Sequence, residues 1–227
     1  YNMASGLSLQ VVDRFTKSHS RFDVGNATNE DKLQEFQSNI LMLTADWQIT
    51  EKLRLKGDYS NFIVINDDEA NEFLDRMDNS FEIYGYFDYS LKTAFFLQYR
   101  FVDLSYDSAE GRDNQQNFYY LGMTWDSTEK LAFLAKVGLQ DKNYDNGLLG
   151  NQSDSENIAF DLQATYKFTE KTSLTVDGYY KNEESDSAVA LEKQVLGITA
   201  GYTQEFTDKL TGLLSLKYEN AEYNQLE

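Results

Sequence analysis

The chain has 227 residues, with 38 acidic against 20 basic side chains, a formal net charge of −18, one His, no Cys and no Pro. That balance argues against a nucleic-acid partner, because phosphate binding needs clustered Lys and Arg, and the missing thiols exclude a disulfide framework and a thiolate metal site. Without Pro nothing interrupts a long backbone hydrogen-bond ladder, and the 16 Tyr and 15 Phe are residue types that suit a pleated surface.

Period-two alternation fills most of the chain. Strands are predicted in order near 4–16, 34–48, 52–65, 78–90, 93–107, 116–126, 131–145, 156–168, 172–184, 192–205 and 209–223, about eleven in all. In the fifth, Phe95, Leu97, Tyr99 and Phe101 oppose Gln98 and Arg100. In the seventh, Leu131, Phe133, Ala135, Val137 and Leu139 oppose Lys136, Gln140 and Lys142. In the eighth, Ile158, Phe160, Leu162, Ala164, Tyr166 and Phe168 share one face, and Ala159, Asp161, Gln163, Thr165 and Lys167 the other. In the last, Leu210, Leu214, Leu216 and Tyr218 oppose Thr211, Ser215, Lys217 and Glu219. Alternation over roughly 10–14 residues far exceeds the usual strand of about 5–6 in globular proteins.

Two kinds of connection alternate between these strands. Short ones are expected at 49–51, 91–92, 127–130, 169–171 and 206–208. Long ones, with acidic and amide side chains in and around them, are expected at 17–33, 66–77, 108–115, 146–155 and 185–191. The phrase T-E-K begins at Thr50, Thr128 and Thr169, and T-D-K at Thr207; each copy is read as a tight turn that reverses the chain. A propeller blade would pack four short strands into a repeat of this kind, whereas two long strands fill each interval here. A soluble antiparallel sandwich also alternates, but with shorter strands and loops less polarised in length.

Trp47, Trp125, Tyr166, Phe168, Tyr202 and Phe206 stand just before or within these turns. They are expected at one level around a rim, as in the aromatic girdle where a barrel wall crosses a membrane interface. No apolar run approaches the roughly 18 residues of a membrane-spanning helix, and mean hydropathy is negative. Strands with one lipid-facing and one lumen-facing side keep average hydropathy low, so neither fact speaks against a barrel. The expected fold is all-β: a transmembrane antiparallel up-and-down β-barrel. Residues 1–227 are read as one barrel domain. Eleven is odd where bacterial single-chain barrels are even, and the chain closes as NAEYNQLE without a terminal aromatic. It is therefore expected to lack strands at one or both ends of a larger, even-numbered barrel.

Charge on a lipid face is costly near the midplane, about 2–4 kcal/mol for Arg or Lys, so the charged members of alternating strands should face a lumen. That selects Arg54, Lys56 and Asp58 in the third strand and Glu82, Tyr84, Tyr86 and Asp88 in the fourth. It adds Arg100 in the fifth, Lys136 in the seventh, Asp161 and Lys167 in the eighth, Asp177 and Tyr179 in the ninth, and Lys217 in the last. Such residues would line a hydrated path, with Tyr faces free to stack on sugar rings, or would pair with one another and brace the wall; the two roles are compatible.

Covalent chemistry has little support. His19 is the single histidine, in the polar stretch TKSHSRFD, and is read as a solvated loop residue. No serine–histidine, cysteine–histidine or zinc arrangement can be assembled around it, and carboxylate neighbours such as Asp67 and Asp68 are read as solvated loop charges. The stretch DKNYDNGLLGNQSDSE offers hard oxygen ligands, Asp141, Asp145 and Asp154 among them. Calcium or magnesium could bridge that loop, or link it to lipopolysaccharide phosphates. The spacing is not that of an EF-hand, and no cofactor is assigned.

From Asp78 onward the chain resembles the outer-membrane β-barrel porins encoded beside exopolysaccharide synthesis and export genes in Gram-negative bacteria. The segments that carry the resemblance are LQYRFVDLSYDS (Leu97–Ser108), FYYLGMTWDSTEKLAFLAKVGLQDKNYDN (Phe118–Asn146), FDLQATYKFTEKTSLTVDGYYKNEESDS (Phe160–Ser187) and LGITAGYTQEFTDKLTGLLSLKYENAEY (Leu196–Tyr223). The resemblance implies a bacterial outer-membrane barrel that helps a polysaccharide leave the cell, with lipid, lipopolysaccharide and periplasmic export proteins as partners. Two functional classes follow: a porin-like conduit for exopolysaccharide or a smaller solute, or a structural barrel that anchors or sheathes another protein of a surface assembly. Adhesion through the long loops is a third. A conduit for a strongly anionic polymer should have a basic constriction. The lumen set is mixed in sign, so a neutral or partly cationic glycan is expected.

Overall fold

The computed structural model describes residues 6–21, 33–67, 69–108, 111–144, 155–185 and 190–225. They form one antiparallel sheet whose strands run β1 (Leu7–Arg21), β2 (Leu33–Gln48), β3 (Leu53–Asn66), β4 (Arg76–Ser90), β5 (Thr93–Tyr106), β6 (Asn114–Asp126), β7 (Leu131–Tyr144), β8 (Ser155–Thr169), β9 (Thr172–Glu184), β10 (Ala190–Thr207) and β11 (Leu210–Gln225). Spatial order equals chain order throughout. This is the eleven-stranded up-and-down wall expected from the sequence. A short 3₁₀ segment, Glu69–Leu74, sits in the connection before β4.

Most boundaries fall within about two residues of expectation, and the largest difference is at the end of β1. The first strand was expected to end at 16 but pairs with β2 as far as Arg21, through Lys17↔Gln37 and His19↔Glu35. Polar side chains do not end a ladder whose backbone groups are still paired, so the TKSH stretch continues the strand. His19 is consequently a strand residue, not a loop residue.

The repeated turn phrase has a specific local chemistry. Thr50 Oγ1 accepts hydrogen bonds from the backbone N–H of Lys52 (3.2 Å) and Leu53 (3.0 Å). Thr128 does the same for Lys130 (3.2 Å) and Leu131 (3.0 Å). Thr169 and Thr207 each accept from the Lys two residues on, at 3.2 and 3.3 Å, and Ser90 plays the part before Lys92 at 3.2 Å. A hydroxyl that bonds the backbone two residues ahead mimics a turn and frees the chain to reverse. The carbonyls of four turn Lys residues then accept from the following hairpin: Lys52 O from the Asp88 N–H at 2.9 Å, Lys92 O from the Asp126 N–H at 2.8 Å, Lys130 O from the Lys167 N–H at 2.8 Å and Lys171 O from the Glu205 N–H at 2.8 Å. The rim is therefore one continuous hydrogen-bonded band.

Alternation separates two unlike faces. In β5, Phe95 and Leu97 are 43% and 66% exposed while Phe96 and Gln98 are 3% and 4% exposed. The sheet curls enough that side chains of β5 and β6 meet β9, as in Tyr106 Oη to Glu184 Oε2 at 2.9 Å and Gln116 Nε2 to Glu184 Oε1 at 2.9 Å. Val102, Leu104, Tyr106, Phe118, Tyr120 and Ala159 form a small apolar cluster on the concave side. Buried beside them are Gln98, Asn114, Gln116, Gln140 and Lys142. The convex side instead exposes Leu55, Ile83, Leu121, Val137, Ile158, Leu162, Ile198 and Leu216. Exposed apolar patches on a water-soluble monomer rarely exceed a few hundred Å²; here they extend across the strands. Leu97→Arg, at the middle of that convex surface, is expected to lower stability in a bilayer by about 2–4 kcal/mol. Urea titration of the vesicle-inserted protein checks this, and an unchanged midpoint would mean that Leu97 does not face lipid.

Candidate functional site

The concave face owes its chemistry to strand parity: in a ladder without slips, every second residue points to the same side. All of the charged and Tyr residues singled out above fall on that side. On this face a cation, one spacer and a carboxylate recur along one strand, also at Arg76, Asp78, Lys181 and Glu183, which were not singled out, and the spacing brings the two charges together. Lys56 Nζ lies 2.7 Å from Asp58, Arg76 Nε 3.0 Å from Asp78, Lys181 Nζ 2.9 Å from Glu183 and Lys217 Nζ 2.7 Å from Glu219.

Cross-strand contacts join these pairs into a belt. Arg54 pairs with Asp46 of β2 at 3.2 Å, and Thr44 donates to Asp58 at 2.6 Å. Glu82 accepts from Tyr84 Oη (2.5 Å) and Gln98 Nε2 (2.9 Å) and pairs with Arg100 at 3.3 Å. Lys136 bridges onward, to Gln98 Oε1 at 3.3 Å and to Asp161 at 3.0 Å. Gln163 donates to Asp177 at 2.6 Å, and Tyr179 donates to Glu219 across Gly197. Asp88 stands apart, near Gln48 Nε2 at 3.4 Å, and Lys167 lies toward the short-turn rim, where its backbone N–H joins the band.

The aromatic rings of this face are not free. Arg54 sits 4.0 Å over Tyr86, Lys56 5.0 Å over Tyr84, Arg100 5.3 Å over Phe118, Lys136 4.4 Å over Tyr120, Arg112 4.9 Å over Tyr106 and Lys181 5.1 Å over Tyr179. The expectation that Tyr faces lie open for sugar rings is corrected here: one face of each is covered by a cation, because a ring quadrupole attracts a cation that already needs a partner. Glycines make room for rings. A Cβ at Gly122 would lie 2.1 Å from Phe96 Cζ and one at Gly197 2.3 Å from Tyr179 Cζ, so each aromatic crosses a neighbouring strand where that strand has no side chain.

At the long-loop end the belt deepens into a cluster the sequence did not reveal. Glu184 Oε1 accepts from Lys142 Nζ (2.5 Å), Gln116 Nε2 (2.9 Å) and Asn114 Nδ2 (3.3 Å), while its Oε2 accepts from Tyr106. The Lys142 side chain is 1% exposed and also stands 4.0 Å from Glu192. Glu192 accepts from Asn182 Nδ2 at 2.6 Å and from Ser155 Oγ at 3.0 Å. By parity Asn182 and Glu184 should face outward with Tyr180. They do not, because the β8–β9 ladder stops at Phe160↔Tyr180 although β8 reaches Ser155 and β9 reaches Glu184. The end of β9 parts from β8 while keeping its ladder with β10, and it turns over the inner surface so that Asn182 and Glu184 meet β6 and β7. Ala159, on the concave face of the part of β8 that pairs with β7 but not with β9, is fully buried. Beside this end lies a cavity of ≈ 400 Å³ whose walls include Arg76, Arg100, Phe118, Lys136 and Asp161.

The girdle residues Trp47, Trp125, Tyr166, Phe168, Tyr202 and Phe206 are all exposed, near the short turns. Of the metal candidates, Asp141 is in β7, where it accepts from Asn143 at 3.1 Å; Asp145 and Asp154 lie outside the described residues, as does Asp68. Among the described residues no three His, Cys, Asp or Glu side chains are grouped to hold a metal.

No protein-family model matches the chain, and no curated protein matches it. Among solved structures it is similar to the Ralstonia pickettii toluene transporter TbuX, at 9% identity and a TM-score of 0.41, over 99% of this chain and 79% of that one. A likeness this distant carries no argument about function.

Lys142 and Glu184 are the buried charges with most at stake. Removing one member of such a pair leaves the other unpaired and costs about 3–5 kcal/mol, whereas replacing both costs far less. Lys142→Met is therefore expected to destabilise strongly and the double variant K142M/E184Q to recover most of the loss. A double-mutant cycle by urea unfolding reads this directly.

Proposed function

We propose that the chain forms the wall of an outer-membrane β-barrel that passes a hydrophilic solute without covalent chemistry. One observation carries the reading: the polarity of the sheet is inverted, with large apolar side chains on the convex face and paired charges on the concave one. A lipid solvent asks for that distribution, and water does not. In lipid every backbone polar group needs a partner within the protein, so a strand-built wall spans a membrane only as a barrel. Single-chain bacterial barrels of this kind belong to the outer membrane. The girdle side chains would then sit at the interface, with lipopolysaccharide at the long-loop side, where calcium would bridge acidic loops to lipid phosphates.

The belt favours a solute of low net charge. Its cations are matched by carboxylates within about 3–4 Å, the range in which opposite charges neutralise each other's field at a distance. A neutral or partly cationic glycan is thus the finer reading, and exopolysaccharide export the role suggested by the sequence resemblance. A second reading, a barrel that sheathes or anchors a partner, draws on a different observation: the end of β9 lies inside the wall and the aromatic rings are capped.

Planar-bilayer recording separates the two. The conduit reading expects steady conductance with a modest cation preference, given the acidity of the chain. Pronounced anion selectivity would count against a neutral or cationic solute. A correctly inserted, heat-modifiable barrel that never conducts would favour the sheathing role.

A further inference from the structure

We propose that the end of β9, residues 181–185, is a gate across the lumen, held closed by a latch in which Glu184 is locked onto Lys142. The inference rests on the conduit reading above.

Three features carry it. First, this segment has exchanged one of its two ladders for side-chain contacts. Above Phe160↔Tyr180 it keeps its pairing with β10, through Glu192↔Glu184, but has none with β8. On the side it has turned toward, the lost ladder is replaced by side-chain bonds to β6, β7 and the segment before β6. Gln140 clasps the backbone of Asn182 from both sides, accepting from its N–H at 3.0 Å and donating to its carbonyl at 3.0 Å. Arg112 donates to the carbonyl of Ser185 at 2.5 Å. Glu184 reaches Lys142, Gln116, Asn114 and Tyr106. A backbone ladder opens only with the fold, whereas a side-chain clasp can release while the strands stay paired.

Second, the closed position is incompletely satisfied. Arg112 Nε and Asn182 Oδ1 are buried without hydrogen-bond partners, and both belong to residues that hold or form the inturned end. Unpaired buried polar atoms oppose the state that buries them, so the closed state relies on the Lys142–Glu184 pair. Third, β8 offers an alternative seat: the edge at 155–159 that the end of β9 has left keeps its own pairing with β7. Rejoining that edge would extend the β8–β9 ladder, carry Glu184 out of the lumen and widen the passage beside the ≈ 400 Å³ cavity. The device therefore has two discrete positions, as a switch requires.

Amide hydrogen exchange of the full chain in lipid nanodiscs tests the latch independently of transport. E184Q keeps the shape of the side chain and removes its charge, and is expected to accelerate exchange at residues 182–185 at least tenfold while β5–β7 keep their protection. E183Q, which changes the same charge one residue away outside the latch, is expected to leave those rates unaltered. Q140L removes the clasp without touching the charged pair and serves if E184Q fails to insert; it too should loosen 182–185. Unchanged rates in E184Q and Q140L, or equal loosening in E183Q, would overturn the latch. In planar bilayers E184Q is expected to raise open probability at least twofold. Faster exchange with unaltered conductance would overturn the gate. Absence of current in every variant would instead overturn the conduit reading, leaving the exchange result to decide the latch.

Discussion

Everything in this molecule hangs on the backbone hydrogen bond. A wall that meets an apolar medium on its convex side can leave no N–H or C=O unpaired there, and an antiparallel ladder between chain neighbours satisfies the wall locally and repeatedly. The absence of Pro removes the residue that would interrupt such a ladder. The turn phrase is the smallest device that reverses the chain without wasting a donor: a Thr hydroxyl holds the N–H groups that the turn would otherwise orphan. Strand length, strand order and the hydrogen-bonded rim are consequences of this one requirement.

The concave face follows from the same ladder with a different solvent. Carboxylates and cations that face inward are partly removed from water by the curl of the sheet. Most find a partner of opposite sign, often two residues along the same strand, and others, such as Asp177, an amide. The rings between them accept the remaining cations. Bracing and lining turn out to be one arrangement, since a wall whose charges neutralise each other is at once rigid and hydrated. The capped rings change the balance the sequence suggested: the concave face presents charged heads and amides more than open aromatic faces.

The place where β9 parts from β8 is also the place where buried charge concentrates. Once β9 parts from β8, its backbone must be satisfied by side chains, and Gln140 and Arg112 answer that need at Asn182 and Ser185. Buried charge in turn needs buried partners, which accounts for the crowd of amides around Lys142 and Glu184. Structural departure and chemical density are thus cause and consequence.

Parity along the sequence by itself determined the eleven strands, their up-and-down order, the short-turn rim and the face of the residues it singled out, Arg54 to Lys217, but it did not pick out Asp46, Arg76, Asp78, Lys181 or Glu183 of the same belt. Period-two alternation and turn chemistry are local properties, readable from a few residues at a time. It placed Gln140 and Lys142 on the polar face for the same reason. It could not place Asn182, Glu184 and Glu192 there, because parity assumes that neighbouring strands stay paired, and these residues of β9 and β10 would face outward if β9 stayed against β8. Nor could it show that His19 is a strand residue or that cations cover the rings, since both depend on what a neighbouring strand supplies. Only the tertiary structure decided where the ladder ends, because that depends on competition between two strand edges and a buried ion pair far apart in the chain.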